Sequence, residues 1–490
     1  MVIDLNNTHP FYEADQALRV KARDLFSGAE VVLSATNVET YLLKSDNEST
    51  ALYTIRKARA VYDNWVAGVI NARQALLWRK APTRNLPGPL DALLDNVNRK
   101  RDSADTFFWR VAQNAQVEGL WWVLVDKPRV AAIPVSAAEE QSMGIRPFFE
   151  AIEPDRVLDW AVGDDRALLW AVVARDVSKY DEAEGGRQPG QEDEAVAERV
   201  TWTRSEWIVY REAENAGYVE VDRGTHGLGA VPLVPFYGEY KDDFRGRPVV
   251  ADILPHCINL LNKFSDRDMA EFMVCNAIPY VISQDNPGEL TAGAMKGMFI
   301  KAVEGAQCEI GYLEPSGNGI SACRESERDL IRRIAEIALR QAKTDTAQAQ
   351  AADSLKEEKR EFSAGLAPAS RMYQSGETEC WRLAGLWLNQ RNLDPEIAYN
   401  QDFDDDRIGA DMVAQLLTLV GGDNLSRRTL LEILVEGEVL PENIDVDEEL
   451  ERIADQEVAA VNQLLVGMKE QEAAVEAEPD SEQKDANAAA

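Results

Sequence analysis

The chain has 490 residues and a formal net charge of −33, with 85 acidic against 52 basic side chains. That length exceeds one simple core and points to roughly two to four domains. The charge argues against a protein that grips nucleic acid by its phosphates, which takes clustered Lys and Arg, but it leaves open a protein past which DNA slides, or an acidic surface that only keeps the chain soluble.

Apolar runs such as Ile253–Leu261 are broken by Pro255, His256 and Asn259, well short of the roughly 20 apolar residues of a membrane span. The acidic start MVIDLNNTHPFYEAD has no apolar core of a secretory signal, so none is expected. Cys257, Cys275, Cys308, Cys323 and Cys380 are scattered without a C-x-x-C pair. They read as free, mostly buried thiols in a reducing compartment rather than zinc ligands.

Residues 1–50 read as a partly structured arm, with a short helix over Ala17–Phe26. Ile55, Ala58, Val61, Tyr62, Trp65 and Val69 recur at helical spacing and predict one helix over Ala51–Leu77. Ser103–Gln116 is a second amphipathic helix, stopped by Gly119 and followed by the strand Leu120–Val125. Strands are predicted at Phe148–Ile152, Val157–Trp160, Leu168–Arg175, Arg199–Trp202, Glu206–Arg211 and Tyr218–Asp222, from β-formers punctuated by turn residues. Glu182–Glu198, acidic and rich in Gly and Gln, reads as an exposed excursion.

A long ordered run follows. A helix over about Val249–Ala277, with Pro248 at its first turn and a kink or restart at Pro255, ends at Pro279. A strand-and-turn insert with strands near Phe299–Val303 and Cys308–Leu313 leads to a second helix, about Ala322–Lys343. Leu330, Ile331, Ile334, Ile337, Ala338 and Leu339 give that helix an inward stripe beneath a heavily charged surface. Thr344–Ser354 is a tract of small polar residues, either a plain connector or a surface along which a polymer slides. Ser354 and Glu357 form a capping box that restarts a helix, which Gly365 and Pro368 are expected to kink. Tyr373, Cys380, Trp381, Leu383, Ala384 and Trp387 predict a core stripe along it. Short helices are expected at Asp411–Leu419 and Ser426–Val435. Residues 467–490 read as a disordered acidic tail. From Val435 onward 17 acidic residues face 3 basic ones, so this end carries much of the negative charge.

This order resembles the core of the phage portal proteins, over roughly Ala51–Gln456. The local signatures are the Arg- and Tyr-rich helix leading to Gly68, Asn71 and Pro82, read as a turn or strand; the strand HGLGAVPLVPF (His226–Phe236); the step NAIPYVI into the insert; and LVGGDNLSRRTL followed by DEELE. The resemblance implies an α+β fold: an N-terminal arm (1–50), a mixed α/β wing (51–246), a two-helix stem (247–278 and 321–343), a small α/β clip (279–320), a tunnel loop (344–354), a long kinked helix (355–400), a helical crown (401–466) and the tail. It implies a homo-oligomeric ring, usually of twelve copies, at one capsid vertex of a virion, assembled in the host cytoplasm. The ring would conduct double-stranded DNA during packaging and ejection and dock the terminase large subunit, major capsid and scaffolding proteins and a head–tail adaptor. It implies no enzyme activity, cofactor or membrane. Tunnel-loop candidates are Thr344, Thr346, Gln348, Gln350, Asp353 and Ser354; stem-channel candidates are Lys263, Arg267, Arg328, Arg332, Arg333, Arg340 and Lys343; clip docking candidates are Tyr280, Gln284, Lys296, Lys301 and Glu304.

Two other readings stand beside it. The carboxylates of Asp402-Phe-Asp404-Asp405-Asp406 are of the type that holds Mg²⁺ or Ca²⁺, which would suit a metal-dependent hydrolase, or they are a solvated turn; the Gly and Glu of an EF-hand loop are missing. A generic helical scaffold is the third. His9, His226 and His256 make no ligand spacing, and neither a P-loop nor a G-x-S-x-G elbow occurs.

Overall fold

A computed structural model describes residues 3–128, 143–178, 195–213, 217–275, 278–283, 291–292, 295–303, 307–313, 318–339, 352–391, 393–401, 403, 416, 426–436 and 444–453. The chain divides into two units, Met1–Phe403 and Asp404–Ala490, and the first is mixed α+β.

The N-terminal fifty residues are more ordered than their composition suggests. Helix α1 (Pro10–Ser27) starts on Pro10, whose missing N–H costs nothing there, and the His9 ring accepts from Phe11 N at 3.2 Å. Two single-turn helices, α2 (Ala29–Val32) and α3 (Val38–Tyr41), follow. Leu25, Val32, Val38, Tyr41 and Leu42 are buried with residues of the later helices, so this segment is core and not an arm. The reason it was missed is chemical: the buried face includes Arg19, which is neutralised by Asp155 at 3.0 Å.

The single helix expected over Ala51–Leu77 is two, α4 (Thr50–Arg59) and α5 (Trp65–Leu77). Asn64 caps α5 by accepting from Ala67 N at 2.8 Å, and that cap ends the helical register near Ala60. Ile55 and Val61 are consequently exposed, and Gly68 and Asn71 sit inside α5 rather than in a turn or strand. Strand β1 (Thr83–Asn85) precedes α6 (Ala104–Glu118), capped by Ser103 and ended by left-handed Gly119.

Strand β2 (Leu120–Asp126) is the pivot of the sheet structure of the first unit. It lies between β3 (Phe148–Ile152) and β9 (Leu233–Tyr237), antiparallel to both. Successive side chains point to opposite faces. Trp121, Val123 and Val125 enter one core with α6 and the long C-terminal helix, while Leu120, Trp122 and Leu124 enter another. The second core is closed by a five-stranded antiparallel meander, β4 (Val157–Val162), β5 (Leu168–Ser178), β6 (Ala195–Thr203), β7 (Glu206–Ala213) and β8 (Gly217–Thr225). The excursion expected to reach Glu198 stops sooner: 195–198 belong to β6, and Glu198 is buried between Arg175 and Arg211. Residues 182–194 lie outside the described set.

Strands β10 (Glu239–Asp242) and β11 (Arg245–Arg247) form a hairpin that crosses the end of α6. A Cβ on Gly246 would meet the Gly119 carbonyl oxygen at 1.8 Å, so two backbones touch here and only glycine fits. The chain then enters the helical run. In the second unit, α10 (Arg427–Glu436) and a helical stretch at 446–453 are joined by Arg428, which pairs with Asp447 at 3.1 Å.

Candidate functional site

The most distinctive construction is the run from α7 (Leu254–Cys275) through an insert to α8 (Asn318–Leu339) and α9 (Ala352–Trp387). α7 starts at Leu254 and not at Val249. Pro255 is its second residue, where a proline needs no acceptor, so it begins the helix instead of kinking it. Leu254, Cys257, Leu260 and Leu261 are buried with the N-terminal helices and with Ile334 of α8. Asn262 donates to Tyr41 O and accepts from Leu43 N, at 2.8 and 2.9 Å. Arg56 bonds Asp266 at 3.1 Å, and Arg59 bonds Asp268 at 2.7 Å while lying over the Phe272 ring. The base of α7 is therefore fixed to the N-terminal helices by both apolar and charged contacts.

Cross-helix polar pairs join α7 to α8: Lys263 with Ser326, Arg267 with Glu327, and Glu271 with Arg324 at 2.9 Å. Glu327 is almost fully buried; burial raises its carboxyl above the ordinary range and the neighbouring Arg267 opposes that rise. Two of the channel candidates, Lys263 and Arg267, thus spend their charge between the helices. Arg328, Arg332 and Arg333 are exposed on α8, with Arg332 pairing with Asp329 at 3.0 Å along the helix. Arg340 and Lys343 lie outside the described residues.

The insert is a three-stranded sheet in the order β15–β12–β16, made by β12 (Ile278–Ser283), β15 (Met298–Lys301) and β16 (Glu309–Leu313). A short pair, β13 (Thr291–Ala292) and β14 (Met295–Lys296), lies alongside. β12 runs parallel to β15 and antiparallel to β16. The large apolar side chains of the insert are unusually open: Ile310 and Tyr312 on β16 are 79 % and 63 % exposed, and Val303, just after β15, is 81 % exposed. Met298 on β15 is also exposed. Open apolar side chains grouped on an outer strand are of the kind found where a second chain docks. The sequence signal was the alternation in CEIGYL, which sequence reasoning used only to place a strand. Of the docking candidates, Tyr280 donates to Glu309 at 2.8 Å, Lys301 is exposed at the end of β15 and Lys296 lies in β14; Gln284 and Glu304 lie outside the described residues.

Thr344, Thr346, Gln348 and Gln350 also lie outside them. Asp353 and Ser354 do not belong to a loop, because α9 begins at Ala352, two residues before the expected cap. α9 runs through Gly365 and Pro368 as one helix, with Pro368 in its interior. Its stripe is core as read: Tyr373, Cys380, Trp381, Leu383 and Ala384 are buried and Trp387 packs against them. Cys257 is buried too, and burial lifts its thiol to about 12. Cys275, Cys308 and Cys323 are exposed, against the expectation of mostly buried thiols, because they sit in the insert and on the helix ends that carry it.

Of the acidic cluster, Phe403 is described and buried, whereas Asp402, Asp404, Asp405 and Asp406 lie outside the described residues. Among the described residues no group of three or more His, Cys, Asp or Glu is placed to hold a metal. His226 is a structural residue: its Nε2 lies 3.1 Å from Thr203 O and its ring sits between Trp202 and Trp387. No described helix is long and apolar enough to cross a membrane.

Residues 258–388 match a family model described as a domain of unknown function, DUF4055. That span runs from the first turns of α7 to the end of α9. No curated protein matches. Among solved structures, the chain is similar to one from the neck of a native GTA particle computed with C12 symmetry: 13 % identity, 80 % of this chain, 94 % of that chain and a TM-score of 0.39. A chain from the virion of a native gene transfer agent particle gives 12 %, 85 %, 98 % and 0.39. One from the neck of an empty GTA particle computed with C6 symmetry gives 12 %, 83 %, 98 % and 0.41. Likenesses of this degree do not fix a residue-by-residue correspondence.

Proposed function

We propose that the chain is a portal-type subunit, one copy of a ring that lines a DNA channel at a single vertex of a phage-like capsid. The observation that carries the reading is the run α7–insert–α8–α9. Two helices, anchored to the wing at one end and tied together by Lys263–Ser326, Arg267–Glu327 and Glu271–Arg324, carry a small sheet with open apolar strands at the other. This is a strut with a docking edge, and it supports a passive role: the stem makes the wall, the sheet receives terminase or a head–tail adaptor, and the segment before α9 touches DNA. Exposed Arg328 and Arg333 on α8 are the stem cations best placed for the channel face. The protein would hydrolyse nothing itself, would bind no cofactor, and would meet capsid and scaffolding proteins through the wing.

Negative-stain electron microscopy with particle mass from light scattering tests this. Rings with a central hole and a mass near a dozen subunits support it. Closed particles without a channel, in buffers with and without scaffolding protein, sink it. Plasmid cleavage with Mg²⁺ or Mn²⁺ that disappears in Asp404→Ala would replace it with the hydrolase reading.

A further inference from the structure

One surface runs against the charge of the whole molecule. The loop Asn98-Arg99-Lys100-Arg101 puts three adjacent cations on a chain of net charge −33. All three are exposed, and no carboxylate among the described residues pairs with them. The loop is held firmly. Arg99 and Arg101 adopt φ of +61° and +69°, the left-handed region that costs a residue with a side chain roughly 1 kcal/mol. Asn98 Oδ1 accepts from Lys100 N at 2.9 Å and from Asp102 N at 3.3 Å, while Asn96 Oδ1 accepts from Arg101 N at 3.0 Å. The Arg99 guanidinium lies over the Phe148 ring at 5.5 Å. Arg146 is close enough for the charge of Arg99, added to burial, to hold it below its ordinary value. Two guanidiniums that repel each other are stable together only at a cost that an anion between them removes.

Arg99 and Lys100 border a cleft between the loop, α6 and β3. Phe107, Val111, Phe148 and Phe149 line it, with Arg110 engaged by Asp102 and with Glu150 as the one carboxylate not engaged by a cation. The combination is a basic rim over an apolar wall. A DNA backbone has no use for the apolar wall, and so few cations are a small electrostatic footprint for a duplex approaching an acidic protein. We propose that this cleft is a docking site for an acidic polypeptide segment of a partner protein, one that carries an aromatic or aliphatic anchor among its carboxylates. The carboxylates would bridge Arg99, Lys100 and Arg146, and the anchor would lie against Phe107 and Phe148. The site is independent of the stem, and its test does not depend on ring formation.

The test is fluorescence anisotropy of the full chain with a labelled peptide of Glu residues interspersed with Phe. The same peptide with Gln in place of Glu and a labelled DNA duplex serve as comparators. Saturable binding of the Glu/Phe peptide is expected, weakened by about tenfold or more in Lys100→Glu and in Arg99→Gln with Arg146→Gln. Lys100 is exposed and makes no side-chain bond among the described residues, so its variant keeps the wild-type melting temperature and reads the site alone. Absence of peptide binding, binding unchanged in both variants, equal binding of the Gln peptide, or tighter binding of the duplex would each overturn the proposal.

Discussion

The Tyr399 hydroxyl donates to the Glu377 carboxylate at 2.5 Å, in a pocket closed to solvent. Arg84 bonds the same carboxylate at 2.6 Å, Trp381 Nε1 donates to it at 3.0 Å, and Asp105 takes a second hydrogen bond from Arg84 at 3.1 Å. Burial and the Glu377 charge together hold the Tyr399 phenol well above its ordinary value, so it stays a donor. The network joins β1, α6, α9 and the residue that follows β17 (Glu396–Ala398), places far apart in sequence.

Removing Arg84 leaves a buried, uncompensated carboxylate. Arg84→Met is expected to cost about 3–5 kcal/mol, whereas Tyr399→Phe, which removes one hydrogen bond, is expected to cost about 1–2 kcal/mol. Urea unfolding midpoints measure both. Equal losses would mean that the ion pair does not dominate the site.

The open apolar strands of the insert separate folding from assembly. Ile310→Asp combined with Tyr312→Ser should leave the melting temperature of the free subunit unchanged, because both side chains face solvent. The same variant should weaken ring formation or adaptor docking by tenfold or more, read from sedimentation profiles. A large drop in melting temperature would place these residues in a core.

His9 and His226 both sit where burial lowers their pKa below 6.5. A folded-state pKa below the unfolded one means the unfolded chain binds more protons, so stability rises with pH across this range. The contribution is complete above pH 6.5 and is lost as pH falls below it toward the folded-state values. Asp159, whose charge raises His9, and the Thr203 carbonyl, which raises His226, reduce the loss without reversing it. His226→Asn should flatten the slope of melting temperature against pH just below 6.5. A slope of the opposite sign in the wild type would contradict this.

Backbone contact at Gly246 makes it intolerant. Gly246→Ala should destabilise by about 3 kcal/mol, since the Gly119 carbonyl cannot retreat from β2. Gly229→Ala, at φ +72° in open space, should cost only about 1 kcal/mol. Thermal melts of the pair distinguish steric from conformational cost.

The first unit was legible where periodicity and punctuation agree. Ser103, Gly119 and the apolar run Leu120–Val125 delimit α6 and β2 almost to the residue. It was not legible where side-chain chemistry is settled by distant partners. Arg19 looked like solvent-facing charge until Asp155, far along the chain, met it. Val61 and Tyr62 kept helical spacing across a break, and only the capping Asn64 betrayed it. On α7 and α8 the apolar stripe was readable, but spacing cannot say whether a cation faces solvent or a neighbouring helix: Arg267 faces Glu327. The basic cleft escaped notice because Arg99 and Arg146 are separated by a strand and a helix in sequence, and only the fold brings their charges together.

Trp121 and Trp122 are adjacent in the chain, yet each belongs to a different core. Melting either side strips one wall from β2 and with it the surface on which the other side rests. The two cores should therefore open as one cooperative unit, with no separately stable half. The amide protons of β2 would be the last between them to exchange with solvent, however the rest of the molecule moves.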